Sequence, residues 1–396
     1  MLRILGPVLV AATLCWSSNA SAAPGDLDTS FGSGSGKVIT AIGPDGDVAR
    51  AIALQPDGKI VVAGGCVNSS GSDNDFCLAR YLPSGALDTS FNTTGKVITA
   101  IGSHGGTSVV ALQPDGKIVI AGTCWNGSGS NSDFCLARYL PSGALDTSFN
   151  TTGKVITGVG SGNDFANALA VQPDGTIVAA GACFNGNTFD FCLARYLPSG
   201  ALDTTFNTTG SVITPIGARS DTAYALALQP DGKIVAAGGC SNGSNSDFCL
   251  IRYLPSGALD TSFNSTGKII TAIGLNLDAV TALTLQPDGK IVAAGYCSNS
   301  RIDYFCLARY LASGALDTSF NSTGKVITAI GLYVDDAFAL ALQPDGKIVA
   351  AGACFNGNTF DFCIARYLPS GPLDTTFNTT GSVITPIGSG SGISYA

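Results

Sequence analysis

Five aspartates stand at a constant distance before a repeated glutamine and are the first candidates for chemistry. Each lies eight residues before the Gln of a Gln-Pro-Asp-Gly motif; the five are Asp47, Asp164, Asp221, Asp278 and Asp335. Carboxylate oxygens are the ligands that Ca²⁺ prefers, so such a set could bind this cation or a cationic ligand. Asp side chains also commonly accept hydrogen bonds from the amides of their own turn. The sequence leaves both interpretations open.

The second repeat breaks this pattern and adds other candidate residues. Gly105 replaces the aspartate there, beside the only histidine of the chain, His104. Aromatic residues lie in or beside the most variable segments, namely Trp125, Phe184, Phe189, Phe355 and Phe360. Rings exposed among Asn and Ser side chains would suit a glycan or a peptide, whereas buried rings would only cover the neighbouring cysteines. We take His104, Trp125, Phe184 and Phe355 as candidate ligand-binding residues.

Twelve cysteines form six closely spaced pairs, each of which brackets one loop. The pairs are Cys66 and Cys77, Cys124 and Cys135, Cys183 and Cys192, Cys240 and Cys249, Cys297 and Cys306, and Cys354 and Cys363. Adjacent antiparallel strands bring such residues near disulfide distance. A zinc site needs four ligands, and each repeat offers two thiols with no nearby His. We therefore predict six disulfides, each worth roughly 2–3 kcal/mol in the chain-entropy model.

One arginine recurs inside a strand-like run of every repeat. The six are Arg80, Arg138, Arg195, Arg252, Arg309 and Arg366. They fall on the same side of the run as the flanking leucines, which predicts burial between neighbouring repeats. A buried guanidinium needs a carboxylate partner, and the repeated Asp57, Asp88 and their equivalents are the natural partners. Since every repeat has this feature, we expect these ion pairs to be structural.

All these residues recur because the chain is an array of repeats of about 57 residues. The Gln-Pro-Asp-Gly motif occurs six times, and each repeat holds four strand-like runs. In the fourth repeat the runs are YALALQ, KIVAAG, DFCLIRYL and SFNSTGKIIT. Pro-Asp-Gly suits a tight hairpin because Gly tolerates the left-handed conformation at its end. Four antiparallel strands per repeat predict an all-β fold, a β-propeller of four-stranded blades. A β-solenoid is the alternative, although its coils are usually shorter.

The repeat also resembles a known family. The pattern ALQPDGKIVVAG, followed by DFCLARYLPSGALDTSFNTTGKVIT, resembles the bacterial delta-sixty repeat of largely uncharacterised exported proteins. AVQPDGTIVAAG is similar to the inner hairpin of NHL-type propeller blades. The resemblance covers the chain from about Leu27 onward. It implies a propeller whose ALALQ-type run is the innermost strand and whose KVIT-type run is the outermost, and it says almost nothing about activity.

The two ends of the chain bear on the number of blades. Residues 36–40 supply a lone outer strand before the first complete repeat, whereas Tyr395 and Ala396 match the start of an inner strand. We therefore expect six complete blades and an incomplete, truncated seventh. A closed six-bladed ring is the alternative.

The N-terminal residues predict export. Arg3, an apolar run and a small-residue cleavage site indicate a signal peptide at 1–22. We expect residues 23–396 to form a single propeller domain, which is secreted or periplasmic and monomeric. No second apolar run is long enough to span a membrane.

Alternating strands sort the charges onto two faces. We call bottom face the side with the Pro-Asp-Gly turns and Leu-Asp-Thr connections, and top face the side with the cysteine-bracketed loops and the entries to the inner strands. All 28 acidic residues are Asp, the formal net charge is −8, and most of the excess falls on the top face. An acidic face disfavours nucleic acid and anionic membranes as partners.

The sequence thus favours a non-enzymatic exported scaffold or binding protein, whose top face presents variable loops to a protein or glycan. A Ca²⁺-dependent propeller hydrolase or lyase that uses the top-face aspartates is the alternative, as is a truncated non-functional product. We expect no cofactor, with Ca²⁺ as the alternative, and assign no catalytic residue, because the candidate acids are copies of one another.

Overall fold

The computed structural model describes residues 23–44, 46–67, 74–127, 131–243, 245–299 and 302–387. This part of the chain contains 24 β-strands and no helix. The signal peptide expected at residues 1–22 and the inner strand expected at Tyr395 and Ala396 lie outside the described residues.

The strands form six antiparallel sheets, each built from four strands that are consecutive in the chain. Blades one and two comprise β1 (Val48–Leu54), β2 (Ile60–Val67), β3 (Asn74–Tyr81), β4 (Lys96–Thr99), β5 (Ser103–Leu112), β6 (Ile118–Trp125), β7 (Ser132–Tyr139) and β8 (Lys154–Thr157). Blades three and four comprise β9 (Asp164–Val171), β10 (Ile177–Phe184), β11 (Phe189–Tyr196), β12 (Ser211–Thr214), β13 (Asp221–Leu228), β14 (Ile234–Ser241), β15 (Ser246–Tyr253) and β16 (Lys268–Thr271). Blades five and six comprise β17 (Asp278–Leu285), β18 (Ile291–Asn299), β19 (Ile302–Tyr310), β20 (Lys325–Thr328), β21 (Asp335–Leu342), β22 (Ile348–Phe355), β23 (Phe360–Tyr367) and β24 (Ser382–Thr385). The prediction of a β-propeller with six complete four-stranded blades is confirmed, and the six sheets also agree with the six-bladed alternative.

The Pro-Asp-Gly motif forms the hairpin that sets the register of the two inner strands. In blade four the Gln229 amide donates to the Lys233 carbonyl at 2.8 Å, and the Gly232 amide donates back to the Gln229 carbonyl at 2.9 Å. Gly232 has φ 81°, a conformation that costs glycine little. Leu228 therefore pairs directly with Ile234 at the start of the hairpin.

The outermost strand is shorter than the sequence indicates. In blade four the run SFNSTGKIIT contributes only β16. Asn264 and Ser265 before it have φ 50° and 58°, and this left-handed conformation interrupts an extended strand. The Asn264 amide donates to the Ser313 carbonyl of the next blade at 2.8 Å. Most of the run is thus a turn that links neighbouring blades.

The core consists of apolar clusters between successive blades. Between blades four and five, Phe248 and Leu250 pack with Ala308 and Tyr310, and all four side chains are fully buried. The Tyr310 hydroxyl donates to Thr271 Oγ1 of the preceding blade at 2.9 Å. Equivalent clusters join the other successive blades from one to six. Packing of each sheet against the next therefore holds these six blades in order.

Residues 23–44 lie between blade six and blade one. The Asn378 amide of blade six donates to the Pro24 carbonyl at 2.8 Å, and the Gly32 amide donates to the Ser84 carbonyl of blade one at 2.9 Å. The same bond links the other blades in turn, as from Asn321 to Ser370 at 2.7 Å. The N-terminal segment therefore lies between blades six and one in the position that the outer part of a repeat takes elsewhere.

Candidate functional site

The bottom face carries a buried ion pair in every blade. In blade four Arg252 is 5% exposed, and its Nε donates to Asp260 Oδ2 at 2.8 Å. Its Nη1 donates to the Ala312 carbonyl of the next blade at 2.7 Å, and its guanidinium carbon lies 4.4 Å from the centre of the Phe263 ring. The equivalent pairs are Arg80–Asp88, Arg138–Asp146, Arg195–Asp203, Arg309–Asp317 and Arg366–Asp374. Each contact serves packing within the blade or between blades.

These carboxylates are held ionised. Burial opposes ionisation of Asp260, but hydrogen bonds from Ser262 and the positive charge of Arg252 outweigh it, so the pKa of Asp260 lies below its ordinary value. Asp57, the other partner that the sequence suggested for Arg80, pairs instead with Lys59 at 3.1 Å, because both lie at the tip of the same hairpin. The Asp57 side chain is 55% exposed, so it faces solvent and not the arginine.

The six cysteine pairs form disulfides, each between the second and third strands of one blade. The Cα atoms of Cys240 and Cys249 are 5.8 Å apart, and the other pairs lie at 5.7 to 5.9 Å. This is the usual separation for a disulfide. The predicted disulfides are therefore present, and such bonds are typical of an oxidising or extracellular environment.

All five repeated aspartates accept hydrogen bonds from amides of their own top-face loops, and four of them are buried. Asp221 is fully buried, and its Oδ2 accepts hydrogen bonds from the Ile216 amide at 2.7 Å and the Gly217 amide at 2.9 Å. The equivalent carboxylates of blades three, five and six are buried and bound in the same way; these belong to Asp164, Asp278 and Asp335. Asp47 makes the same bonds but is exposed. The four buried carboxylates thus turn toward the amides of their own loops.

A second set of buried aspartates, which the sequence analysis did not single out, lies near the start of the third strand. Its signal was the repeated Asp-Phe-Cys, and its members are Asp75, Asp133, Asp190, Asp247 and Asp361. Asn242 Nδ2 donates to Asp247 Oδ2 at 2.6 Å, whereas Asp247 Oδ1 has no hydrogen-bond partner among the described residues. Burial raises the pKa of Asp278 in the next blade; the Ile273 and Gly274 amides lower it, and the charge of Asp247 adds to the rise.

Blade six departs from this symmetry at Asp336. Burial, followed by the charges of Asp303 and Asp335, raises the pKa of Asp336 to about 7. Its Oδ1 accepts no hydrogen bond from the part of the chain that the structure describes. Asp303 is itself an exception, because blade five has Tyr304 at the Asp-Phe-Cys position and an aspartate one residue earlier. Asp336 can therefore exchange a proton with solvent near neutral pH.

The predicted aromatic residues lie on the top face in separate groups. The His104 and Trp125 rings are 4.3 Å apart between their centres, and Trp125 is 39% exposed. Phe184 lies 5.4 Å from Phe189 in blade three. Phe355 lies 5.3 Å from Phe360 in blade six. Both phenylalanine pairs are half-buried, whereas His104 and Trp125 are exposed.

The most exposed apolar side chains of the top face were missed by the sequence analysis. They lie in the connections that enter blades five and six: Leu275 (75% exposed), Leu277 (57%), Leu332 (59%) and Tyr333 (58%). The Tyr333 ring lies 6.3 Å from Phe355, so it extends the aromatic group of blade six. Their signal was the apolar residues in AIGLNLD and AIGLYVD, where the other repeats have AIGPDGD, AIGSHG, GVGSGND and PIGARSD.

Within the described residues, no group of three or more His, Cys or Asp side chains is placed to hold a metal ion. The same residues contain no helix with the length and apolar character needed to cross a membrane.

Comparison with known proteins identifies the family. Its model, described as a domain of unknown function (DUF5122) beta-propeller, matches six segments at 55–91, 113–149, 172–206, 229–263, 286–320 and 343–377. No curated protein has a matching sequence.

Similar solved structures share only the fold. One is a protein of unknown function from Bacteroides caccae, with 14% identity, a TM-score of 0.41, and 71% of this chain and 85% of that chain covered. Another is Sqt1 from Chaetomium thermophilum, with 14% identity, a TM-score of 0.44 and 87% of both chains covered. A gluconolactonase from Xanthomonas campestris has 12% identity, a TM-score of 0.36, and 79% and 95% covered. None of the three carries an argument about function. Since the family model recurs in all six blades and covers more than half of the sequence, the chain belongs to the DUF5122 beta-propeller family.

Proposed function

We propose that this protein is an exported, non-enzymatic propeller that binds a protein or glycan through its top face. The observation that carries the proposal is the exposure of four apolar side chains in the top-face connections that enter blades five and six, namely Leu275, Leu277, Leu332 and Tyr333. Exposed apolar clusters rimmed by polar residues are typical of interaction sites. Exposed polar residues lie beside Phe355 and Tyr333 in the segment 356–358, which the Cys354–Cys363 disulfide brackets.

The repetition of the other polar groups supports a binding role over an enzymatic one. The bottom-face arginines are bound in ion pairs, and the top-face aspartates of blades three to six are bound to loop amides. An active site requires groups of different role at one place. Apart from Asp303, Asp336 and His104, what differs from blade to blade is the apolar and aromatic content of the top face, and that difference supplies recognition.

The experiment uses the protein from residue 23 onward on a glycan array, with Trp125→Ala and Tyr333→Ala as the test variants. Loss of an exposed aromatic anchor is expected to weaken a specific glycan by roughly tenfold or more. Ile156→Ala is the matched control, because Ile156 is 40% exposed but lies on an outermost strand. Equal binding by all variants would contradict a glycan site at these rings.

A protein partner is tested by a photo-crosslinking amino acid at position 333 in one preparation and at position 156 in another. Incubation with exported proteins of the source cells is expected to give a discrete adduct from position 333 alone. If the array is blank and neither position, or both positions equally, gives an adduct, the proposed function is wrong.

A further inference from the structure

A groove of about 500 Å³ lies between blade one and blade six, and its lining does not include the exposed apolar and aromatic residues of the top face discussed above. Its walls include Ile52 and Val62 of blade one, Phe362 and Ile364 of blade six, and Val38 of the N-terminal segment. Lys37 and Asp47 are the charged side chains among its lining residues. The groove is therefore an apolar cleft between two sheet faces.

On the blade-one wall of the groove, apolar side chains of the innermost strand are exposed, whereas the equivalent side chains of other blades pack against a neighbouring blade. Ile52 is 54% exposed and Leu54 is 64% exposed. Their equivalents in blade five, Leu283 and Leu285, pack against the cluster that joins blades four and five. Since the sequence at these positions is apolar in every repeat, the exposure arises from the missing neighbour and not from a polar adaptation.

The blade-six wall of the groove also has apolar side chains that lack the packing of their equivalents in other blades. Phe362 and Ile364 are only half-buried, whereas their equivalents Phe248 and Leu250 in blade four are fully buried against blade five. Among the described residues, no hydrophobic cluster joins blade six to blade one, although five clusters join the other successive blades. Each wall thus presents the surface that elsewhere contacts another blade.

The N-terminal segment already holds the outer part of the place between these walls. Besides the amide bonds of Asn378 and Gly32, the Lys37 ammonium donates to the Pro386 carbonyl, and Lys96 donates to the Ala41 carbonyl at 2.6 Å. The same lysine bond joins other successive blades, as from Lys154 to Ala100 at 2.7 Å. The segment therefore occupies a seventh position, where it supplies the outer run alone.

The filled interfaces show which side chains would complete this position. Between blades four and five, the covering residues are Val235 and Ala237 of the second strand and Phe248 and Leu250 of the third. Residues 37–40 correspond to an outermost strand but pair with no strand among the described residues. In a complete blade the third strand pairs with the outermost strand, as Leu250 does with Ile269.

We propose that the groove binds the three inner strands of a repeat of this type, supplied by a polypeptide other than a copy of this chain. The third strand of the incoming segment pairs with residues 37–40, and its apolar side chains cover Ile52 on one wall and Phe362 on the other. Addition of a strand to an open edge is a common mode of peptide recognition. Every inner strand among the described residues already belongs to its own sheet, so neither this part of the chain nor the same part of a second copy fills the groove.

The probe is residues 221–253, which carry β13, β14 and β15, fused to a soluble carrier and added to the full chain. Saturable one-to-one binding is expected by fluorescence anisotropy. Ile52→Asp is expected to weaken binding by at least about tenfold, because it places a charge in an apolar interface. Ile327→Asp is the matched control: Ile327 is 46% exposed, but it lies on an outermost strand away from the groove.

Hydrogen exchange provides the second readout. Binding in the groove is expected to protect the amides of residues 37–40, while top-face variants such as Tyr333→Ala leave this protection unchanged. No binding, equal weakening by both Asp variants, or binding without protection of these amides would overturn the proposal. A self-associated dimer that Ile52→Asp dissociates would also overturn it, because the occupant would then be a second copy of the chain.

Discussion

The strand arginines show how one residue position is fixed by packing, charge and hydrogen bonding together. Arg252 lies between the Phe263 ring and Asp260, and it also reaches a carbonyl of the next blade. A buried guanidinium without a carboxylate would be strongly destabilising, whereas the intact pair is close to neutral relative to an apolar pair. Arginine at this position therefore specifies the contact between blades more than it increases stability.

Replacement of Asp260 by Ala is expected to reduce the free energy of unfolding by about 3–5 kcal/mol, because Arg252 would remain buried without a counter-charge. Asp231→Ala is the matched control: Asp231 pairs with Lys233 at 2.7 Å, but its side chain is 52% exposed. Exposed pairs of this kind contribute less than about 1 kcal/mol. Urea unfolding of the two variants checks the difference, and equal losses would contradict the structural role.

Sequence reasoning could predict that these arginines need carboxylates, because an arginine among strand leucines cannot be buried alone. It could not choose between Asp57 and Asp88, since that choice depends on how the Leu-Asp-Thr connection folds back. The Asp88 amide donates to the Arg80 carbonyl at 2.8 Å, and this bond places the carboxylate beside the guanidinium. The top-face leucines were missed because they interrupt the repeat, and periodicity is informative only where the repeat holds.

At the scale of the element, each disulfide fixes the base of one variable loop. Cys240 and Cys249 lie on β14 and β15 and are fully buried. The two strands are also joined by their own hydrogen-bond ladder up to Ser241 and Ser246. A covalent link beside this ladder holds the strand ends together whatever the loop sequence is. Loop variation is thereby separated from the stability of the blade.

Removal of this disulfide in the double variant Cys240→Ala/Cys249→Ala is expected to reduce the free energy of unfolding by about 3 kcal/mol, the chain-entropy value for a loop of this length. Unfolding is measured by urea titration with and without a thiol reductant. Under reduction the difference from the parent protein should shrink to the small effect of side-chain volume. A difference that persists unchanged under reduction would show that the bond itself contributes nothing.

The strands were more predictable than the connections between them. Val-, Ile- and Ala-rich runs flanked by Pro-Asp-Gly leave few alternatives to an inner hairpin. The outermost strand was predicted too long because Asn264 and Ser265 adopt the left-handed conformation. Asn adopts this conformation more readily than most residues, but Ser gives no indication of it in the sequence. The contact of this turn with the next blade supplies the hydrogen bond that holds the conformation, and such a contact is invisible in one repeat.

At the scale of the whole molecule, two sets of carboxylates oppose each other in their dependence on pH. The bottom-face set has its pKa lowered, as in Asp260. Such groups stabilise the fold above their unfolded pKa, and this stability is lost as the pH falls. The buried top-face set has its pKa raised by burial, as in Asp164, Asp221, Asp278 and Asp335. For these groups the native state binds more protons than the unfolded chain above pH 3.8, so stability falls as the pH rises.

We therefore expect maximum stability on the acidic side of neutrality, with a decline from pH 5 to pH 8. Asp336 contributes most across this range, because its pKa of about 7 results first from burial and then from Asp303 and Asp335. Since one pKa unit corresponds to about 1.4 kcal/mol, the decline should be on the order of 1–3 kcal/mol. Urea unfolding at several pH values measures it. Asp336→Asn should flatten the dependence of stability on pH, whereas Asp345→Asn at an exposed turn should leave it unchanged. If the stability of the parent protein is constant or rises over this interval, burial does not raise the pKa of these carboxylates in the folded protein.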